Sequence, residues 1–84
     1  MEVSKQAIIA KFEEVLSESV SREAVSDWAR VRREADDDGT LTLLPEAERY
    51  SLWDALLFLE GVDLKDSPTS YLHNEEDILR ERPT

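Results

Sequence analysis

The side chains that could carry chemistry in this sequence are few, because it contains one histidine and no cysteine. His73 is the only candidate for the base of a nucleophilic site, and it lies between Tyr71 and a predicted helix that begins after Asn74. Catalytic and metal sites need several convergent groups, so a loop histidine bonded to a nearby carbonyl or helix end is the favoured interpretation. We therefore expect no enzymatic activity, no metal and no cofactor.

The acidic run at Asp36 to Gly39 resembles part of a calcium-binding loop, but its spacing is wrong for one. An EF-hand needs oxygen ligands at alternate positions and a glutamate at the twelfth. A loop that starts at Asp36 has Ala47 in the twelfth position, and one that starts at Asp37 lacks side-chain oxygens at the third and fifth. A solvated turn is the favoured interpretation.

The formal net charge of −10 in 84 residues is the most informative property of the composition. Residues 34–66 hold ten acids and two bases, so this segment carries −8 of the total. Such a charge repels nucleic acid and anionic membranes and attracts basic proteins. The chain also lacks a signal-like segment and a run of 18 apolar residues, and with no cysteine it is expected to be cytoplasmic.

The length and the apolar periodicity predict one all-α domain spanning residues 1–84, a small bundle of three main helices plus a short C-terminal helix. Ser4 is expected to cap a first helix that runs to about Ser17. Ser21 is expected to cap a second helix, which frays into an acidic loop over residues 34–39. Thr40–Leu44 is interpreted either as a short extended piece or as a lead into the third helix.

The third helix carries the strongest periodic signal, from Pro45 to Glu60, with Gly61 at its end. Residues 62–73 are predicted to be a loop, and Asn74 to cap a last helix running to about residue 82. Trp28 and Trp53 fall on apolar stripes and are expected to pack in the core. Tyr50 and Tyr71 are the better candidates for exposed aromatic residues.

Several segments resemble small acidic bacterial immunity proteins found beside polymorphic and contact-dependent toxins. The similarity covers about residues 21 to 80 and includes the stretches 21–24, 28–29, 53–56, 61–64 and 71–78. The colicin nuclease immunity proteins are a functional analogue. They are of similar length, acidic and helical, with an Asp-Ser-Pro turn like Asp66-Ser67-Pro68, although the paired tyrosines of their third helix are absent here.

The resemblance implies an immunity protein that binds and neutralises a cognate toxin domain, a basic protein such as a nuclease, through an acidic surface. Nucleic acid, membranes and small-molecule substrates are not expected as partners. The alternatives are an acidic adaptor or regulator without a toxin partner, a small enzyme, and a DNA mimic. The expected partner-binding residues are Asp36, Asp37, Asp38, Glu46, Glu48, Tyr50, Asp54, Glu60, Asp63 and Asp66.

Overall fold

Four helices and two small sheets make up the fold in a computed structural model that describes all 84 residues. No helix is long and apolar enough to cross a membrane. In chain order the elements are β1 (Glu2–Ser4), α1 (Lys5–Leu16), α2 (Arg22–Asp37), β2 (Thr42–Leu44), a 3₁₀ turn (Glu46–Glu48), α3 (Arg49–Glu60), β3 (Lys65–Ser67), β4 (Ser70–Tyr71) and α4 (Glu75–Glu81).

Three helices begin at the caps that the sequence predicts, whereas α3 begins at Arg49 and not at Pro45, because residues 46–48 form a 3₁₀ turn. The hydroxyls of Ser4 and Ser21 accept hydrogen bonds from the backbone N–H three residues later, and each thereby satisfies a donor that the helix leaves unpaired. Asn74 forms a full capping box with Asp77. These three predicted starts are confirmed.

The end of α2 was predicted incorrectly. Residues 34–37 continue the helix instead of fraying, and the side chain of Ala35 in this last turn is buried. The chain then reverses at Gly39, whose φ of +73° lies in the left-handed region that glycine adopts without a steric penalty. This turn leads directly into β2.

The two sheets contradict the all-α prediction. β1 and β2 pair in parallel, with Val3 opposite Leu43, whereas β3 and β4 form an irregular antiparallel hairpin within the predicted loop. The extended interpretation of Thr40–Leu44 therefore holds for β2. Strands of two or three residues are too short to show the alternation by which strands are recognised in a sequence, so β1, β3 and β4 were missed.

A single apolar core joins the N-terminal strand, the first three helices and α4. Its fully buried side chains include Ile8, Phe12, Leu56 and Ile78, and Trp28 and Trp53 pack against it while remaining partly exposed. Phe12 also stacks in parallel on Phe58, with 5.9 Å between ring centroids. Tryptophans at the edge of the core keep one ring face near the surface, which matters for the charged residues described next.

Candidate functional site

The chain has ten cationic and 20 acidic side chains, and the cationic ones fall into two groups according to what they contact. Six of them lie within 4.0 Å of a carboxylate, so their charge is largely cancelled locally: Lys5, Lys11, Arg30, Arg33, Arg80 and Arg82. The other four form no such ion pair. These four are the cationic side chains that a negatively charged ligand would meet without an ion pair to displace.

Each of these four cations lies over an aromatic ring instead. Arg22 and Lys65 are 4.3 and 5.4 Å from the centroid of the Tyr71 ring. Arg32 is 4.2 Å from the Trp28 ring, and Arg49 is 4.9 Å from the Tyr50 ring. A ring face attracts a cation without neutralising its charge, so these side chains are held in place and remain positive.

The Tyr71 cluster, which consists of Arg22, Lys65, Tyr71 and Glu23, joins the start of α2 to the β3–β4 hairpin. Arg22 donates hydrogen bonds to the backbone carbonyls of Val62 (3.2 Å) and His73 (2.7 Å), so it ties both ends of the hairpin segment to α2. The Tyr71 hydroxyl donates to Glu23 at 2.9 Å. Lys65 is exposed and lies over the ring without forming an ion pair or a side-chain hydrogen bond, which makes it the most accessible charge of the cluster.

Arg32 is the least accessible of the four. It donates to the carbonyl of Trp28 at 3.1 Å, and its Nε is buried without a hydrogen-bond partner. Burial lowers the pKa of this guanidinium, although arginine remains charged at neutral pH. Arg32 is therefore better placed to fix Trp28 than to bind a ligand, and Lys65, Arg49 and Arg22 remain as candidates.

Arg49 stands beside an open depression of the surface, the β2–α3 groove. This open groove has a volume of about 450 Å³, and its lining combines the apolar Leu41, Leu43 and Trp53 with Tyr50 and the charged Asp36, Glu46 and Arg49. Arg49 donates to the Tyr50 hydroxyl at 3.0 Å, and this bond, with the nearby charge of Glu46, raises the pKa of Arg49. Tyr50 is 74% exposed, as the sequence predicts.

The predicted acidic surface is divided among different environments. Asp36 and Glu46 line the β2–α3 groove with Tyr50. Glu48 is bound to Lys5, and Asp37 and Glu60 both bind Arg33. Asp66 accepts from Ser70. Asp38 and Asp54 are exposed, and Asp63 is half-buried. The ten residues thus do not act as one uncompensated patch, since several of them neutralise bases of the same chain.

His73 takes the structural position that the sequence favours. Its ring lies 4.7 Å from the Phe58 ring, and its Nδ1 is 3.7 Å from the Asp77 carboxylate at the start of α4. Its backbone carbonyl accepts from Arg22. The histidine therefore packs between α3 and α4.

The lowered pKa values of two carboxylates, Glu23 and Asp77, allow the pH dependence of stability to be predicted. The Glu23 pKa is lowered, first by a backbone hydrogen bond and then by Tyr71, and the Asp77 pKa is lowered by the backbone N–H of Asn74 and then by Arg80. Because both values are lower in the folded state than in the unfolded state, their stabilising contribution is present at neutral pH and is lost as the pH falls below about 4. We expect the urea midpoint to decrease between pH 5 and pH 3, by less in Asp77→Asn than in the wild type. An equal decrease in both would contradict this assignment for Asp77.

Fold and site together define a small α+β domain in which the cationic side chains that form no ion pair lie over aromatic rings. A family model described as YxzC DNA-binding protein matches residues 2–80, and the chain belongs to this family. The chain is 44% identical over 70 residues to "Uncharacterized protein YxzC" of Bacillus subtilis (strain 168). The match covers 83% of this chain and 52% of that protein, so the chain spans about half the length of this relative. No solved structure matches the chain.

This family membership overturns the immunity-protein interpretation. The resemblance to toxin-associated immunity proteins, the assigned role in contact-dependent inhibition and the toxin partner are wrong, because the matching family is one described as DNA-binding. The exclusion of nucleic acid as a partner is contradicted by the same finding. The error came from treating the net charge as a property of every surface, although a chain with a net charge of −10 still has four cationic side chains that form no ion pair.

Sequence reasoning missed Arg22, Lys65 and Arg49 as functional candidates. They are separated by 16 residues or more and never form a basic run. One local signal was available, since Arg49 directly precedes Tyr50 at the start of the third helix. The Tyr71 cluster had no such signal, because it depends on a hairpin that the sequence did not predict.

Proposed function

We propose that this chain is a non-catalytic DNA-binding domain that contacts DNA phosphates through Lys65 and Arg49, with Arg22 beside Lys65. The observation that carries the proposal is the set of cations held on aromatic rings and free of carboxylate partners. Membership of a family described as DNA-binding supports it. A DNA partner and the absence of cysteine also favour a cytoplasmic location.

The placement of the two exposed cations suits a DNA backbone. Arg49 is the first residue of α3, and Lys65 follows the other end of this helix by five residues. Twelve residues of helix span about 17 Å at 1.5 Å per residue. This length corresponds to about five nucleotides at 3.4 Å per step along one strand. Cations near the two ends of a helix of this length can contact phosphates of one strand without a continuous basic surface between them.

The net charge limits the affinity and shapes its dependence on salt. Two or three phosphate contacts release few counterions, so log K should fall with log[salt] with a slope of only about −2 to −3. Salt also screens the repulsion between the acidic chain and DNA, and this opposes the loss. The proposal therefore predicts weak binding with a shallow salt dependence, unlike that of a basic DNA-binding protein.

The test is fluorescence anisotropy of labelled duplex and single-stranded DNA, titrated with the protein from low to moderate salt. Lys65→Gln is the diagnostic variant, because the Lys65 side chain forms no ion pair or hydrogen bond and its loss should spare the fold. We expect its affinity to fall several-fold and its salt slope to become less negative by about 1.

Arg30→Gln is the matched control. It removes the same formal charge from an exposed position, but Arg30 is already paired with Asp27, so DNA affinity should change little. Equal losses in the two variants would show that only the overall charge matters and would overturn the assigned contacts. Absence of binding to either form of DNA at low salt would overturn the proposed function itself.

A further inference from the structure

We propose that the β2–α3 groove holds an unpaired nucleobase that carries an exocyclic amine, so that the domain prefers cytosine or adenine over thymine in single-stranded DNA. The inference rests on the proposed DNA-binding function and names the part of DNA that this second surface would recognise. It is carried by the size of the groove, its two aromatic rings and the unpaired charges that line it.

The size and the aromatic lining of the groove fit a planar ring. Its volume of about 450 Å³ lies within the range of roughly 300–1,000 Å³ that small-molecule pockets occupy. Trp53 is anchored against the core, whereas Tyr50 leaves most of its side chain open to solvent. Exposed aromatic rings of this kind stack on unpaired bases, and Leu41 and Leu43 add an apolar surface for the remainder of the ring.

The carboxylates at the groove select among bases. Asp36 and Glu46 are both exposed and form neither an ion pair nor a side-chain hydrogen bond in the structure. An ionised carboxylate only accepts hydrogen bonds, so it pairs with the amine of cytosine or adenine. Thymine has no exocyclic amine, and its one donor, the N3–H, lies between two carbonyl oxygens that a carboxylate repels. A groove with free acids therefore disfavours thymine.

Arg49 supplies the charge that keeps a nucleotide at an acidic groove. It is the only cation in the lining. Its guanidinium lies over one face of the Tyr50 ring and bonds the Tyr50 hydroxyl, so the base would stack on the other face. A guanidinium in this position can donate to the phosphate of the same nucleotide while the base contacts Tyr50. The groove thus offers a separate contact for the base and for the phosphate.

The test compares labelled oligo-dC and oligo-dT of about ten nucleotides, within the footprint of roughly 4–16 that single-strand binders cover. The wild type is expected to bind oligo-dC several-fold more tightly than oligo-dT. Tyr50→Ala should weaken binding to oligo-dC by between about fivefold and a hundredfold, the range found when a stacking residue is removed. Leu57→Ala is the control, since Leu57 is 40% exposed on the same helix but does not line the groove.

A second variant tests whether the preference among bases comes from the groove carboxylates or from the overall charge. Asp36→Asn combined with Glu46→Gln should raise affinity for both oligonucleotides, because repulsion decreases, and should abolish the preference for oligo-dC. Asp54→Asn, which removes an exposed acid outside the groove, should leave the preference unchanged.

The possible failures are distinguishable. If both oligonucleotides bind equally, or if Tyr50→Ala has no effect, the groove inference is overturned and the proposed function stands. Binding to duplex DNA but not to single-stranded DNA would also overturn the groove inference and leave the proposed function standing. If no DNA binds, both proposals fail together.

Discussion

Phe12→Ala is expected to remove a large fraction of the protein's free energy of unfolding. Phe12 is fully buried in α1, and its ring stacks on Phe58. Truncation of a buried phenylalanine destabilises a protein by about 3–5 kcal/mol, because it removes apolar contacts and leaves a cavity. At roughly 0.05–0.15 kcal/mol per residue, 84 residues provide only about 4–13 kcal/mol in total.

Urea unfolding followed by tryptophan fluorescence measures this effect. Phe12→Leu keeps most of the volume and should lose much less stability, which separates a cavity effect from a general intolerance at this position. A change below about 1 kcal/mol in Phe12→Ala would show that the buried cluster around α1 contributes little to the fold.

Ile78→Ala is expected to cause the second largest loss of stability, because Ile78 is the one fully buried side chain of α4. A buried isoleucine truncated to alanine destabilises by about 2–5 kcal/mol.

A helix of seven residues does not persist in water without tertiary contacts, so the amides of α4 should exchange with solvent well before the rest of the chain unfolds. Native-state hydrogen exchange would show this local opening.

Leu79→Ala is the matched control for this prediction. Leu79 is the next residue in the same helix and is 52% exposed, so the same class of substitution should change stability by less than about 0.5 kcal/mol. If both variants lose similar stability, α4 is held by helix propensity and capping instead of by the burial of Ile78.

The helices could be predicted because their signals are local. Ser4, Ser21 and Asn74 each sit immediately before a periodic apolar stripe, and the backbone donors that they satisfy lie within three residues. The β1–β2 pair could not be predicted in this way. Its partners Val3 and Leu43 are 40 residues apart, and a strand of three residues contains too little pattern to reveal a distant partner.

The candidate site was partly predictable for the same reason. Tyr50 stood out as an exposed aromatic residue among acids, and its exposure is confirmed. The contact of Lys65 with the Tyr71 ring depends on the β3–β4 hairpin. The ion pair in which Glu60 neutralises the charge of Arg33 depends on how α2 packs on α3. A net charge sums over all of these environments, so it conceals which cations remain available.

The parallel pairing of β1 with β2 also determines when the fold can be completed on the ribosome. β1 emerges first, but its partner strand is synthesised 40 residues later. At roughly 5–20 residues per second, this interval lasts about 2–8 s. During that time α1 and α2 can form from local contacts, whereas the edge of β1 has nothing to pair with. Its length of three residues and the exposed Glu2 make it a poor template for another chain, so the nascent protein passes through this interval with little risk of misassembly.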